Sequence, residues 1–550
     1  MSGTALPAAA PQPVTEAVSP PPAPPVPAPM PLWRMGLYVL ASLITGLTQG
    51  LVNNLVAGNL LAVQATFGAT TNESVWLTAA YSSTSITASL LLYKFRTQFG
   101  LRLFAELGLC LFVGVAAAHF LAHDLRSAVI VRAAAGFVAA PLGTLAFLYM
   151  LEIMPPQHKL TIGVTFGLCG SQLATPLARL VSPYLLDTGL WQNLNLLELG
   201  LALLSLSCAF LLPLTPMPRA KIFDRVDAIS LPLLVVGMGL LSVVLSLGRY
   251  YWWFEAPWLG FCLAGGIACL ALLVAVEANR ANPLLHLRWL SSETMIVFGG
   301  AMLLSRFVLA EQTTGMIGFF QTLGLLNDHM TGMLWVVFAA TAASFPVLAV
   351  VNRPQNTPAI HAVALLMIAI GAWMDGDATS LTRPHDVYVS QALVAFGGAL
   401  FLPSALTWCF THTIRSGMQY LTSFFAVFLA SQNLGGLLGS SMLGTLLTVR
   451  EKFHSSQIVE HLTLADPLVA QRVAQYGATY GRVLGDGALR SAEGAALLAQ
   501  VATREAYVLA YNDLFRVVSG VSGGCLLLLF IHLLVRKLRD IAVQRRAQPV

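Results

Sequence analysis

Several charged side chains lie where water is scarce. Arg132, Arg179, Glu198, Arg306 and Glu311 all fall inside long apolar runs. A charged group at mid-bilayer depth costs about 2.5–3.5 kcal/mol on insertion scales, so each needs a partner or a water-filled cavity. A carboxylate in apolar surroundings holds a proton more readily than one in water, which makes Glu311 and Glu198 candidate proton carriers. In LLSRFVLAEQTTG, Arg306 and Glu311 are five residues apart, a spacing that turns them away from each other on an ideal helix. Each should therefore meet another helix; for Arg306 a structural tie to a neighbouring helix stands beside a part in proton coupling. Arg179 either lines a cavity and attracts an anionic ligand or reaches for lipid headgroups. Gln172, Gln321, Gln432 and Asn433 offer uncharged hydrogen-bonding groups to a ligand in a mostly apolar cavity. Their other use is to bond helix to helix, worth about 0.6 kcal/mol on average. Glu106 sits four residues after Arg102, the spacing of an interfacial ion pair.

Other chemistry finds no support. No nucleophile–base constellation can be assembled, and no phosphate-cradling Walker loop is present, so neither enzymatic catalysis nor ATP-driven work is indicated. No catalytic residue, metal ligand set, cofactor or nucleic-acid partner is expected. The seven cysteines, among them Cys110, Cys409 and Cys525, are scattered through apolar stretches; clustered spacing of a disulfide framework or metal site is missing.

The elements that must hold these groups are plain. About fourteen apolar stretches run from near Leu37 to near Val535; 56% of residues are hydrophobic, 10% are charged, and mean hydropathy is +0.73. A soluble domain carries about 25% charged residues, and a hydrocarbon core about 30 Å thick needs roughly 20 apolar residues per helix. The chain is therefore expected to be an all-α polytopic membrane protein. Spans are predicted near 36–62, 74–93, 103–122, 127–152, 160–186, 194–214, 228–248, 257–277, 292–324, 330–352, 357–374, 387–413, 419–448 and 509–535. The 292–324 segment is long for one span and predicts an extension or a kink. Trp252, Trp253 and Trp258 read as an interfacial aromatic belt, and GGLLGSS from Gly435 as close helix packing.

Lys and Arg collect in alternate short gaps: Arg34, Lys94, Arg96, Arg102, Lys159, Arg219, Lys221, Arg225, Arg280, Arg288, Arg353 and Arg415, then the tail from Arg536 to Arg546. The positive-inside rule puts that side, and both termini, in the cytoplasm. The predicted layout is a Pro/Ala-rich disordered tail over 1–33, a six-helix bundle over 34–214 and two additional spans with linkers over 215–290. A second six-helix bundle follows over 291–535, then a basic tail over 536–550. Residues 449–508 interrupt the second bundle as a long extracytoplasmic segment, with short surface helices favoured in QIVEHL and DPLVAQRVAQY.

Read in order, several stretches resemble the major facilitator superfamily, in particular its fourteen-span drug:proton antiporters of the EmrB type. VIVRAAAGFVAAPLG, with Arg132, Gly136 and Pro141, resembles the Arg-x-x-Gln-Gly stretch of span four. EIMPPQHKLTIG resembles the cytoplasmic Pro-Pro turn, NPLLHLRWL from Asn282 the entry to the second half, and FFQTLG the Gln-Thr step at Gln321. NLGGLLGSSMLGTLLTVREKFHSSQIVEHL is similar to span thirteen and the loop after it, and AYNDLFRVV to the start of the last span. Departures are equally visible. GLVNNLVAG offers Asn53 and Asn54 where the pattern has an Asp. YKFRTQFG puts Tyr93, Thr97 and Gln98 in place of the gating Gly, Asp and Arg and keeps Gly100. LATPLARLVSP keeps Pro176 without the usual glycines, Ala135 replaces a Gln, and Gln432 replaces an Arg.

The resemblance implies a secondary transporter of the inner membrane that exports hydrophobic or amphipathic small molecules against protons. It implies a cavity that includes Asn53 and Asn54, coupling through Arg132 as well as the acids, and a cytoplasmic gate at Tyr93, Arg96 and Gly100. It also implies a periplasmic adaptor (membrane-fusion protein) and an outer-membrane channel as partners. The departures bear on gating and coupling, not on the fold. An uncoupled carrier, or a transporter-like sensor that binds without turnover, is the alternative.

Overall fold

The computed structural model describes residues 30–186, 191–215, 223–278, 280 and 283–547. The leader up to residue 29, Arg219, Lys221 and Asn282 lie outside the described residues, as does the side chain of Tyr93. All the regular structure described is helical.

The first half contains α1 (Leu32–Gly58), α2 (Trp76–Phe99), α3 (Leu101–Ala118), α4 (Leu125–Ile153), α5 (Cys169–Leu186) and α6 (Gln192–Leu211). A hairpin of α7 (Asp227–Leu247) and α8 (Pro257–Glu277) follows. The second half begins with α9 (Glu293–Ala310), continued by a π-helical turn over Glu311–Met316 and a short helix to Thr322. Then come α10 (Thr331–Val351), α11 (Thr357–Asp375), α12 (Tyr388–Ser416), α13 (Leu421–Glu460), α14 (Pro467–Ala478) and α15 (Gly487–Ala547). Thirteen helices among the described residues are long and apolar enough to cross a membrane, and the apolar part of α13 supplies a fourteenth. The long 292–324 segment is thus one span broken by a π turn.

Local sequence sets the joints. Asp124 caps α4 through the Arg126 and Ser127 amides, with Ser127 answering back to its N–H, a reciprocal capping box. Gly100 joins α2 to α3 at φ 87°, a backbone state that a side chain would strain. Along α3, Leu103, Leu107 and Leu111 are each about half exposed; this one-sided stripe faces lipid instead of a core.

Within the first half, α1 packs on α4, α5 and α6, and α2 on α4. In the second, α9 packs on α13, α10 on α12, and α11 on α12 and α15. The halves meet where α2 touches α13 and where α5 touches α10. Close approach is set by glycine. A Cβ on Gly170 would lie 2.8 Å from the Leu43 carbonyl, and one on Gly439 2.8 Å from the Phe307 Cα. The Gly435 stretch therefore packs as its small residues suggest, against α9.

Outside the apolar layer the structure departs from the expected loop. QIVEHL forms no helix of its own; through Glu460 it continues α13, which is 40 residues long. At 1.5 Å per residue α13 is about 60 Å long, twice the hydrocarbon thickness. α15 likewise begins far ahead of its span. Only DPLVAQRVAQY forms a separate element, α14, laid on α15 where Gly477 and Gly494 bring backbones together. The sixty-residue segment is mostly two spans that carry on as helices, because their helix-forming sequences contain no breaker.

Candidate functional site

Glu311 opens the π turn and is completely buried. The Gln391 amide Nε2 donates to Glu311 Oε1 at 3.1 Å and to Asp375 Oδ2 at 2.9 Å. The Ser390 hydroxyl donates to Asp375 Oδ1 at 2.5 Å. Two acids from α9 and α11 thus share one amide from α12. Glycines make this possible: a Cβ on Gly371 would lie 2.7 Å from the Ser390 carbonyl, and one on Gly397 2.8 Å from that of Ala364. Without those side chains α11 and α12 close up and Asp375 meets Ser390 and Gln391. Glu311 Oε2 and Gln391 Oε1 are buried without a hydrogen-bond partner. Among the described residues, no cation lies within ion-pair distance of either acid.

The first half holds a different cluster. Arg132, 2% exposed, donates from Nη1 to the Val52 carbonyl at 2.9 Å and from Nη2 to Asn53 Oδ1 at 3.5 Å. Its guanidinium lies 4.6 Å from the centroid of the Tyr81 ring, within cation–π range. Buried Glu198 feels the Arg132 charge and sits 4.0 Å from His119 Nδ1. Arg132 is thus interior, not snorkelling.

The remaining predicted residues separate into groups. Arg306 Nε donates to Gln432 Oε1 at 2.6 Å across the α9–α13 contact; this is a tie to a neighbouring helix, well apart from Glu311. Asn54 donates to the Gly50 carbonyl at 2.9 Å and to Thr175 Oγ1 at 3.2 Å, joining α1 to α5. Glu106 pairs with Arg102 at 2.7 Å, as its spacing suggested. Gln172 keeps a buried Nε2 without a partner. Gln321 and Asn433 are half-buried on the α9 continuation and α13, and the structure brings neither into the two clusters. Arg96 and Gly100 stand at the α2–α3 joint, on the side where Lys and Arg collect.

Two asparagines, Asn327 between predicted spans and Asn352 at the very end of one, close the seam between halves at opposite ends. Asn327 Nδ2 donates to the Gly58 carbonyl and to Asn59 Oδ1, both at 3.1 Å. Arg179 joins this latch, donating to Asn327 Oδ1 at 3.2 Å and to the Gly58 carbonyl at 3.3 Å. At the Lys/Arg-rich end, Asn352 Nδ2 donates to Thr165 Oγ1 and Thr407 Oγ1, both at 3.0 Å, and Thr407 donates to the Leu160 carbonyl at 2.8 Å. Between the latches lies a cleft whose walls include Arg179, Gln312, Ile317, Leu334 and Gln391, with a free volume of about 20 Å³. That is room for one water. Neither asparagine carried a signal beyond its place beside an apolar run.

No protein-family profile matches the chain. The chain is 20% identical to the multidrug export protein EmrB of Escherichia coli K12 over 421 residues, covering 72% of this chain and 76% of EmrB. It is 20% identical to the fatty acid resistance protein FarB of Neisseria gonorrhoeae over 494 residues, covering 88% of this chain and 91% of FarB. Among solved structures, the human organic anion transporter MFSD10 aligns with a TM-score of 0.54 at 14% identity, over 90% of this chain and all of that one. The proton:xylose symporter XylE aligns with a TM-score of 0.53 at 14% identity, over 88% of this chain and 94% of the symporter. The structural likeness speaks for the fold, which is that of the major facilitator transporters, and in sequence the chain is similar to export proteins of the EmrB type.

Proposed function

We propose that the protein is a secondary active exporter of hydrophobic or amphipathic small molecules, driven by protons taken up at the Glu311–Asp375 pair that Gln391 bridges. The carrying observation is the acid pair itself. Two carboxylates on a single amide, buried and without a cation, are relieved of like-charge repulsion by binding a proton. A buried carboxylate oxygen with no partner is the place for it. In this reading the Lys/Arg-rich face is cytoplasmic, both termini are inside, and the protein lies in an inner membrane.

The two latches supply alternating access. Release of Asn327 and Arg179 from α1 opens the outer face and exposes the acid pair to external protons. Release of Asn352 from Thr165 opens the inner face. A substrate in the cleft and a proton on the acid pair favour different states, which couples their movements. Arg179 has no carboxylate within ion-pair distance among the described residues, and apolar Ile317 and Leu334 share its cleft. This supports amphipaths with one acceptor-rich or acidic end, in keeping with the name of FarB. The helices beyond the outer surface, α14 with the ends of α13 and α15, are the surface for a periplasmic adaptor, which would hand substrate to an outer-membrane channel.

Inverted vesicles test the proposal. Adding substrate should release protons from the lumen, and Glu311→Gln should abolish that release while the protein still inserts. A fully coupled Glu311→Gln would remove the acid pair from the mechanism. An uncoupled carrier or a sensor is the second reading: Asn53 and Asn54, at the usual acid position, are engaged in internal hydrogen bonds and cannot titrate. Labelled-substrate counterflow separates the readings, since a sensor never exchanges and an uncoupled carrier exchanges without protons.

A further inference from the structure

The α7–α8 hairpin touches both halves, with different chemistry at its two ends. At the Lys/Arg-rich face, Lys94 near the end of α2 is 4% exposed, and its Nζ meets Asp227 Oδ1 of α7 at 2.7 Å. Arg280, just beyond α8, meets the same oxygen at 2.8 Å and Glu277 Oε1 at 2.9 Å. Glu277 also accepts from the Ser230 hydroxyl and the Leu284 amide. Two cations thus balance two buried anions, and Asp224 adds a rim contact to Arg280 at 3.4 Å. This network fastens α2, from the first half, to both helices of the hairpin.

At the opposite face the α7–α8 turn grips the second half. Trp253 Nε1 donates to Thr445 Oγ1 of α13 at 2.9 Å. The Lys452 ammonium, also on α13, lies 5.4 Å from the Trp252 ring centroid. Trp252 adopts φ 54°, a left-handed state that a bulky residue keeps only where its surroundings hold it. The three tryptophans therefore do more than mark an interface: Trp258 stacks on Trp76 of α2, with ring centroids 6.0 Å apart, while Trp252 and Trp253 reach α13. Since α2 and α13 are themselves in contact, the hairpin bridges that seam.

We propose that the α7–α8 hairpin is a strap across the α2–α13 seam. Its ionic end, Lys94 with Asp227, Arg280 and Glu277, rides with the first half. Its aromatic end joins the two halves, with Trp258 on Trp76 of the first and Trp253 on Thr445 of the second. The strap limits how far the Lys/Arg-rich face opens, and Lys94 is a positioning residue for that motion. The inference rests on the alternating-access reading above, but its test needs neither substrate nor a proton gradient.

Hydrogen exchange on the full chain in lipid nanodiscs reads the opening directly. In Lys94→Met, amides at 159–168 and 404–413, around the Asn352 latch, should exchange about fivefold faster, the low end of a coupling of this kind. Amides of α11 and α15 should keep wild-type rates. The exchanged pair Lys94→Asp with Asp227→Lys should return the latch amides toward wild type. Trp253→Phe, which removes one rim hydrogen bond and no buried charge, should raise exchange at the same amides, and it carries the test if Lys94→Met does not insert. Wild-type exchange at the latch in a folded Lys94→Met or in Trp253→Phe would overturn the strap. So would a uniform rise over every helix, which would make the network a fold contact alone.

Discussion

In the first half, Glu198 shares its surroundings with Arg132 and His119; in the second, Glu311 and Asp375 share only the Gln391 amide. Both clusters bury carboxylates between helices. The first has a cation nearby, Arg132, held by the Val52 carbonyl and stacked on Tyr81, but no ion pair joins it to Glu198, whose Oε1 is also without a hydrogen-bond partner. The second leaves two acids facing each other, with one oxygen unpartnered. An uncompensated pair has a reason to bind something, and a proton is the smallest ion that fits. In the proposed reading the acid pair of the second half is the first place to look for coupling, with Glu198 and Arg132 as further candidates.

The largest effect expected from that contrast is structural. Arg132→Gln removes its bonds to the Val52 carbonyl and Asn53 and its contact with the Tyr81 ring, and takes a cation from the surroundings of Glu198, and should lower melting temperature and folded yield. Adding Glu198→Gln should recover part of that loss; a double variant as unstable as the single one would break the comparison. Next, Glu311→Gln should abolish substrate-driven proton release, because an amide cannot carry the proton, with little change in thermal stability. Asp375→Asn should act in the same direction, because it leaves Glu311 without its like-charged neighbour; substrate-driven proton release measures both. The smallest effect should come from the outer latch. Asn327→Ala removes two neutral hydrogen bonds, worth about 1 kcal/mol each, and the one that Arg179 donates, and faster solvent labelling of a probe beside Gly58 would report it.

How much was legible follows residue type. Most of the apolar runs match helices to within a few residues, and the 257–277 span coincides with α8, but the last two are far exceeded by α13 and α15. Glu311 announced itself because an acid inside an apolar run has few harmless explanations. Asp375 did not, since it falls at the end of α11, one residue past the predicted limit of 374. Gln391 and His119 carried no pattern; near span ends a glutamine or a histidine is ordinary. The latch asparagines carried no signal either: Asn327 lies just beyond a span and Asn352 at the last residue of one, where an asparagine is ordinary.

The sequence by itself determined the membrane class, the number of spans and the residues that had to find partners. Those follow from apolar length and from the cost of burying a charge, both local properties. Only the tertiary structure decided who the partners are. Gln391 reaches Glu311 across 80 residues of chain, and Gln432 reaches Arg306 across 126. Such contacts depend on how closely helices cross, and that is set by glycines such as Gly371, Gly397 and Gly439. A missing Cβ changes a helix separation by ångströms, and ångströms decide whether an acid meets a cation or another acid.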